Sequence, residues 1–323
     1  MLQRVSRVVR RAAAGAAALA AATAFAGCAP SSPSHTSSSA HGLAVAQNLP
    51  KAPKKLYFGV YEPAGIRSAG QIANFAQLIG RQPQIVLYFS GWMEPFETSF
   101  AEHLHSIGAI PQVQLEPDNV SMKAIAAGRY DDYLRSFADG VRAFHHKVII
   151  GFAHEMNGPW YKWGFGHTSP RVWVAAWRHL VTVFRHEGAA NVVWLWTINR
   201  TVNINILSKW WPGAKYVSWV GIDGYYFFPT DDFITQFLPT VEAVRKITGK
   251  PVLLSEVGIG QVAGQAAKLP GMFAGIKQQR LLGLIWYDVT QRQGVYHQNW
   301  RLDENPAAIA AFRRGLKSLG LEP

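Results

Sequence analysis

The sequence predicts an α/β protein, a (β/α)8 TIM barrel forming a single catalytic domain. Three observations carry that reading: eight short apolar runs, amphipathic helical stretches between them, and a span, residues 56–323, close to the roughly 250 residues of one barrel. The runs lie at 56–61, 85–89, 109–115, 148–153, 192–198, 217–225, 251–257 and 281–289. Most are continuously apolar and do not alternate, which fits strands covered on both faces in an all-parallel sheet. The first run continues as Phe58-Gly59-Val60-Tyr61-Glu62-Pro63 into no glycine-rich phosphate turn; a doubly wound open sheet, the rival architecture, would be expected to carry one there. Ahead of the fourth run, Tyr133, Leu134, Phe137, Val141 and Phe144 make a helical stripe. After it, Val172, Trp173, Ala176, Trp177, Leu180, Val181 and Phe184 make a second, behind Ser169 as N-cap and Pro170 at the first helical position. Beyond the eighth run, Asn305-Pro306 opens a last helix to about residue 319.

The N-terminal segment reads as an export signal. Four arginines precede an Ala-rich apolar stretch, 12–26, and small residues lead to Cys28. That stretch is shorter than the roughly 20 residues a spanning helix needs. Phe25-Ala26-Gly27-Cys28 resembles a bacterial lipobox, which makes Cys28 the expected lipidation site and 1–28 a lipoprotein signal peptide; an ordinary signal with an incidental cysteine is the alternative. Cys28 is the sole cysteine, so no intrachain disulfide forms. Residues 29–55, rich in Ser, Pro and Ala and free of acid, read as a flexible tether to the domain at 56–323. The protein is therefore expected outside the cell, on the outer face of a bacterial membrane or secreted, touching membrane only through its anchor.

The formal charge is +12, but seven of those charges fall within residues 1–55, leaving a modest +5 on the domain. No basic run is interleaved with aromatics, so nucleic acid is not an expected partner. No metal is expected either: His145-His146 point different ways at a helix end, and no H-E-x-x-H occurs. No cofactor is expected, and the chain is read as a monomer.

In a (β/α)8 barrel the chemistry lies at the C-terminal ends of the strands. The fourth run ends in FAHEMNGPWYKWG, bringing His154, Glu155, Asn157, Trp160 and Trp163 to the rim; the seventh ends in LLSEVG, with Glu256. Glutamates on strands three apart face each other obliquely across the mouth, within reach of the ~5 to 5.5 Å separation of a retaining glycosidase. Each would raise the pKa of the other, making an acid and a nucleophile from identical side chains. Either glutamate alone reads equally well as a rim salt bridge, and His154 as a satisfied rim histidine or a hydrogen-bonder to substrate. All 12 tryptophans follow residue 90, and Trp92, Trp160, Trp163 and Trp286 stand at strand ends, where indole faces suit sugar rings. Trp173, Trp177, Trp194 and Trp196 read as core, and Trp163 fits cleft wall or packing alike. Asp223 reads as orienting the sixth-strand loop, Glu62 and Asp288 as rim hydrogen-bonders, and Glu94 and Glu97 as a solvated helix start.

HEMNGPWYKW on the fourth strand, SEVG on the seventh, YVSWVGIDGYY on the sixth and LEP on the third together resemble glycoside hydrolase family 26, over essentially all of 56–300. Its known members are mainly endo-β-1,4-mannanases. The resemblance implies a retaining, endo-acting β-glycanase acting on polysaccharide, with Glu155 as acid/base and Glu256 as nucleophile. It further implies that Trp160 lines the sugar at the cleavage point, that Tyr225 hydrogen-bonds the nucleophile and that Trp286 floors the same subsite. The third strand ends without the histidine that several family mannanases use and offers Gln114 and Glu116-Pro117 instead. Mixed-linkage β-glucan or β-1,3-xylan is the alternative substrate, and a non-catalytic glycan-binding protein the alternative of another class.

Overall fold

The computed structural model describes residues 49–290 and 298–321. The signal segment, Cys28 and most of the tether lie outside those residues. In chain order the barrel consists of β1 (Tyr57–Tyr61), α1 (Ala69–Ile79), β2 (Ile85–Gly91), α2 (Thr98–Ser106), β3 (Ile110–Glu116), α3 (Met122–Ala126), α4 (Asp131–Phe144) and β4 (Val148–Phe152). It continues with α5 (Pro170–His186), β5 (Val192–Asn199), β6 (Trp219–Tyr226), α6 (Phe233–Gln236), α7 (Leu238–Ile247), β7 (Val252–Ile259), α8 (Gln265–Gln278), β8 (Gly283–Tyr287) and α9 (Pro306–Ser318). Each apolar run seeds one strand. All neighbouring pairs are parallel, and β8 returns to β1 to close the barrel.

The helices form where capping and periodicity agree. Ser169 accepts a hydrogen bond from the Val172 amide at 3.4 Å, Pro170 supplies the first turn of α5, and Trp173, Ala176, Trp177, Leu180 and Phe184 are buried against the sheet. Asn305 caps α9 in the same way through the Ala308 amide. In the last connection before β6, short 3-10 turns at Ile204–Trp210 and Ala214–Tyr216 replace a full helix.

Apolar packing divides into two clusters. The larger lies between strands and helices, and includes Phe58, Val86, Ile150, Trp194 and Leu284. A smaller one fills the barrel itself, with Tyr57, Ile85, Leu87, Ile149, Leu195, Leu253 and Ile285. Membership of the second cluster fixes which residues of each strand point inward. Two small residues make room there: a Cβ on Gly151 would meet Gln114 Oε1 at 1.9 Å, and one on Gly221 would meet Ser255 Oγ at 2.4 Å. Polar side chains thus cross the barrel just below its mouth, where Gln114 Nε2 donates to Thr197 Oγ1 at 3.1 Å.

One irregularity matters for the site. Ile222 pairs with Leu254 but Asp223 pairs with Glu256, so β7 carries an extra residue, Ser255, at a β-bulge. Strict alternation would put Leu253 and Ser255 inward and send Glu256 toward the helices. The bulge turns Glu256 back into the barrel beside Ser255.

Candidate active site

Glu155 lies three residues past the end of β4, in a segment that leaves extended geometry. Ala153 (φ 47°) and Glu155 (φ 52°) both adopt left-handed backbone, which costs on the order of 1–3 kcal/mol per non-glycine residue. Hydrogen bonds hold the segment in place. The Ala153 amide donates to Leu115 O and the Glu155 amide to Thr197 O, each at 3.0 Å. Trp173 Nε1 donates to Ala153 O at 3.2 Å and Trp163 Nε1 to His154 O at 2.8 Å. Because the strand has ended, His154 and Glu155 escape alternation and both serve the pocket.

Both oxygens of Glu155 are held. Asn199 Nδ2, at the end of β5, donates to Oε1 at 2.7 Å, and Trp160 Nε1 donates to Oε2 at 2.7 Å. Trp160 reaches it because its indole folds over Gly158, where a Cβ would meet ring carbon Cζ2 at 2.1 Å. Asn157 ties this loop to β5: its Nδ2 donates to Asn199 O and Val202 O at 2.8 and 2.6 Å, and its Oδ1 accepts from the Asn199 amide at 2.9 Å.

Glu256 is held differently. Tyr225 Oη donates to its Oε2 at 2.6 Å, while Oε1, buried, has no hydrogen-bond partner among the described residues. Ser255 Oγ donates to Asp223 Oδ1 at 2.5 Å, anchoring the bulge to β6. Asp223 therefore holds β7 in place, a different task from orienting its own loop.

Burial sets the electrostatics. It lifts the Glu155 carboxyl to about 7, against the pull of Asn199, Trp160 and the Arg200 cation. Burial, and then the Glu155 charge, lift Glu256 well above the carboxylate range, and Tyr225 draws it back. Asp223 is raised by burial and by both glutamates. A carboxyl pair of this kind titrates as a unit, with one proton shared near neutral pH. Burial lowers His154 to about 3 and so keeps it neutral; its Nε2 lies 3.1 Å from Tyr161 Oη.

Aromatic placement departs from expectation at two positions. Trp286 points outward from β8 and packs edge-on against Phe312 of α9, with ring centroids 5.2 Å apart. It cannot floor a subsite, because parity gives the inward position to Tyr287. Trp92 is likewise packed on the helix side, against Tyr130, Tyr133 and Phe152. Trp163 is buried and stacks on Tyr161 at 4.3 Å, a support behind His154 and not a cleft wall. Trp160 alone of the four is partly exposed. Sequence reasoning passed over Asn199, Tyr161, Tyr287 and Trp300. Tyr287 stacks on Tyr61 at 4.5 Å and Trp300 lies against Tyr225 at 4.6 Å, so together they wall the pocket beside Glu256. Asn199 had a signal: it follows Leu195 and Thr197 on the inward parity of the fifth run. Trp300 had none, since it arrives from a connection after β8. Among the described residues, no group of three or more His, Cys, Asp or Glu is arranged to hold a metal ion.

Two buried glutamates brought within reach of each other's charge at the C-terminal mouth of a (β/α)8 barrel are the arrangement that hydrolases of glycosidic bonds use. The chain belongs to glycosyl hydrolase family 26, whose family model matches residues 110–313. It is 27% identical over 267 residues to Endoglucanase H of Acetivibrio thermocellus, covering 77% of this chain and 29% of that protein. It is 28% identical over 172 residues to mannan endo-1,4-β-mannosidase A and B of Caldalkalibacillus mannanilyticus, covering 50% and 32%. The chain thus spans about a third of the length of these curated relatives. In fold it is similar to a family 26 β-mannanase from Bacteroides ovatus, with a TM-score of 0.63 at 16% identity over 82% of this chain and 89% of that one. A Cellulomonas fimi endo-β-1,4-mannanase double mutant gives a TM-score of 0.65 at 17% identity, over 81% and 70%.

Proposed function

We propose that the protein is an exported, retaining, endo-acting β-glycanase that cleaves β-1,4-mannan outside the cell. The observation that carries the catalytic part is the contrast between the two carboxyls. Glu256 keeps one buried oxygen without a partner, the free lone pair a nucleophile needs, and Tyr225 fixes the other. Glu155 has both oxygens oriented by donors, which suits a group that must aim a proton. When a glycosidic oxygen faces Glu155, the shared proton settles there. Glu256 Oε1 attacks the anomeric carbon as the bond to the leaving oxygen breaks and takes the Glu155 proton. Water then attacks the glycosyl-enzyme, gives its proton to Glu155, and frees Glu256. Trp160, beside the acid, is the indole available to stack on a sugar ring, while His154 acts through Tyr161.

Mixed-linkage β-glucan is the second reading. The match to an endoglucanase over 77% of the chain favours it, as does the polar inner face of β3, where Gln114 and Glu116 stand in place of a histidine. Hydrolysis of mannan, lichenan and β-1,3-xylan side by side, with Glu256→Ala as blank, decides between them. Products that keep the β configuration by NMR support double displacement, and inverted products refute it. Binding without release of reducing ends would make the protein a glycan tether.

The layout of residues 1–28 supports lipidation at Cys28 and a place on the outer membrane face. No helix among the described residues is long and apolar enough to cross a membrane. Radiolabelled palmitate incorporated by the wild-type chain and not by Cys28→Ser tests the anchor.

A further inference from the structure

The sequence count left the domain with only a modest positive excess and gave Lys51, Lys54 and Lys55 to the tether, but the fold brings these lysines and many of the domain's cations to one face. At the N-terminal end of the barrel, opposite the catalytic mouth, Lys51, Lys54 and Lys55 precede β1. On the same face, Arg81, Lys147, Lys215, Lys250 and Arg280 stand in the turns leading into later strands, and Glu187 is the sole acid in those turns among the described residues. The mouth carries more acid, with Glu94, Glu97, Asp118, Asp231 and Asp232 in its connections beside Arg67, Arg129 and Lys162.

Some of this follows from helix direction. The long barrel helices end at the N-terminal face, where cations complement the helix dipole, and Lys246, Lys277 and Lys317 sit in such last turns. The dipole accounts for nothing beyond the last turn. Lys51, Lys54 and Lys55 adjoin no helix end in sequence, Lys147 and Lys250 lie in turns beyond the helices, and Lys215 stands in the short 3-10 turn Ala214–Tyr216. Lys147 and Lys215 are exposed. Arg185 and Lys215 are gathered around the Tyr216 ring, 5.8 and 5.1 Å from its centroid.

We infer that the N-terminal face of the barrel is a docking surface for an anionic lipid membrane, and that it holds the catalytic mouth away from the bilayer. Two features favour a membrane over a flexible polyanion. The cations are spread over the turns of one broad face. The polypeptide also enters on this face: Arg280 Nη1 donates to Pro50 O at 2.9 Å, so the chain leading back to Cys28 leaves from among the same cations. Clustered Lys and Arg near a negatively charged leaflet each add to attraction within a Debye length. The inference rests on the exported location proposed above and is separate from the hydrolytic activity.

The test compares two full-length variants of equal net charge. One carries Lys54→Glu, Lys147→Glu, Lys215→Glu, Lys246→Glu and Lys317→Glu on the N-terminal face. The other carries Arg67→Glu, Lys123→Glu, Arg129→Glu, Lys162→Glu and Arg171→Glu, reversing the same number of charges away from it. Both share the N-terminal segment, so its own affinity for lipid cancels. Co-sedimentation with phosphatidylglycerol/phosphatidylcholine vesicles should show partitioning weakened about a hundredfold or more in the first variant and largely kept in the second. Salt at about 1 M should release the unsubstituted chain. Equal loss in both variants, or none in either, overturns the inference, as does binding to heparin or duplex DNA with none to vesicles. If the first variant does not fold, the same positions as Gln are measured beside the matching Gln control. Vesicle binding by a chain that hydrolyses no glycan would break the catalytic reading and leave this one standing.

Discussion

The two glutamates are delivered to one pocket by unlike devices. Glu256 stays within a strand and is turned inward by a bulge tied to β6 through Ser255 and Asp223. Glu155 stands on a loop in left-handed backbone and is held from outside by Asn199, Asn157 and Trp160. The difference matches the work proposed for each. A nucleophile must meet one carbon at one distance, and a strand gives that rigidity. An acid that later becomes a base must serve two oxygens in turn, and a loop clamped by side chains permits a small reorientation between steps.

The largest effect should come from the rigid half. Glu256→Ala is expected to abolish polysaccharide hydrolysis, measured as reducing ends, with thermal unfolding unchanged or slightly raised because a buried carboxyl is removed. Retained activity would refute the nucleophile assignment. Glu155→Ala should lower activity on polysaccharide by about 10²–10⁴-fold yet spare aryl glycosides with good leaving groups, and an equal loss on both would argue against the acid role. On the clamped side, Asn199→Ala removes a donor that favours the charged form of Glu155. Its carboxyl, near 7 in the wild type, should rise, so the alkaline limb of kcat/KM should move to higher pH. A limb that stays in place breaks the link between clamp and acid.

Two smaller predictions concern stability. Trp286→Ala should cost about 3–5 kcal/mol of stability, read by denaturant unfolding, while KM at permissive temperature is unchanged; a rise in KM alone would return Trp286 to the cleft. The buried Glu62 carboxyl is raised to about 9 by burial, then by Asp288, so the folded state binds its proton more tightly than the unfolded state does. Its contribution therefore falls as pH rises from about 4.5 toward 9. Glu62→Gln should raise Tm by about 5 °C at pH 8 and leave it unchanged at pH 4.

The barrel was legible in the sequence because its signals are local and repeated. Ser169-Pro170 starts α5, the stripe ending at Phe144 makes α4, and continuous apolar runs become strands buried on both faces. The motifs also located both glutamates at strand ends. What sequence could not supply was parity. The extra residue at Ser255 is invisible without the register of β6, and the left-handed turn at Ala153 places His154 and Glu155 together where a regular strand would part them. Trp286 shows the reverse error: β8 is regular, so alternation holds and the conspicuous tryptophan points to α9 while Tyr287 takes the pocket. Trp92 failed for a related reason, since β2 ends one residue earlier and its indole turns under α4. Asn199 was overlooked because a single polar residue after an apolar run resembles any strand end until its partner is known.

The bond from Trp160 Nε1 to Glu155 Oε2 gives the site an optical reporter. Indole emission responds to a nearby carboxylate charge, so the protonation of Glu155 is written into the fluorescence of one tryptophan. A pH titration of the intact protein, from which the same titration of Trp160→Phe is subtracted, follows the acid through its ionisation with no sugar present.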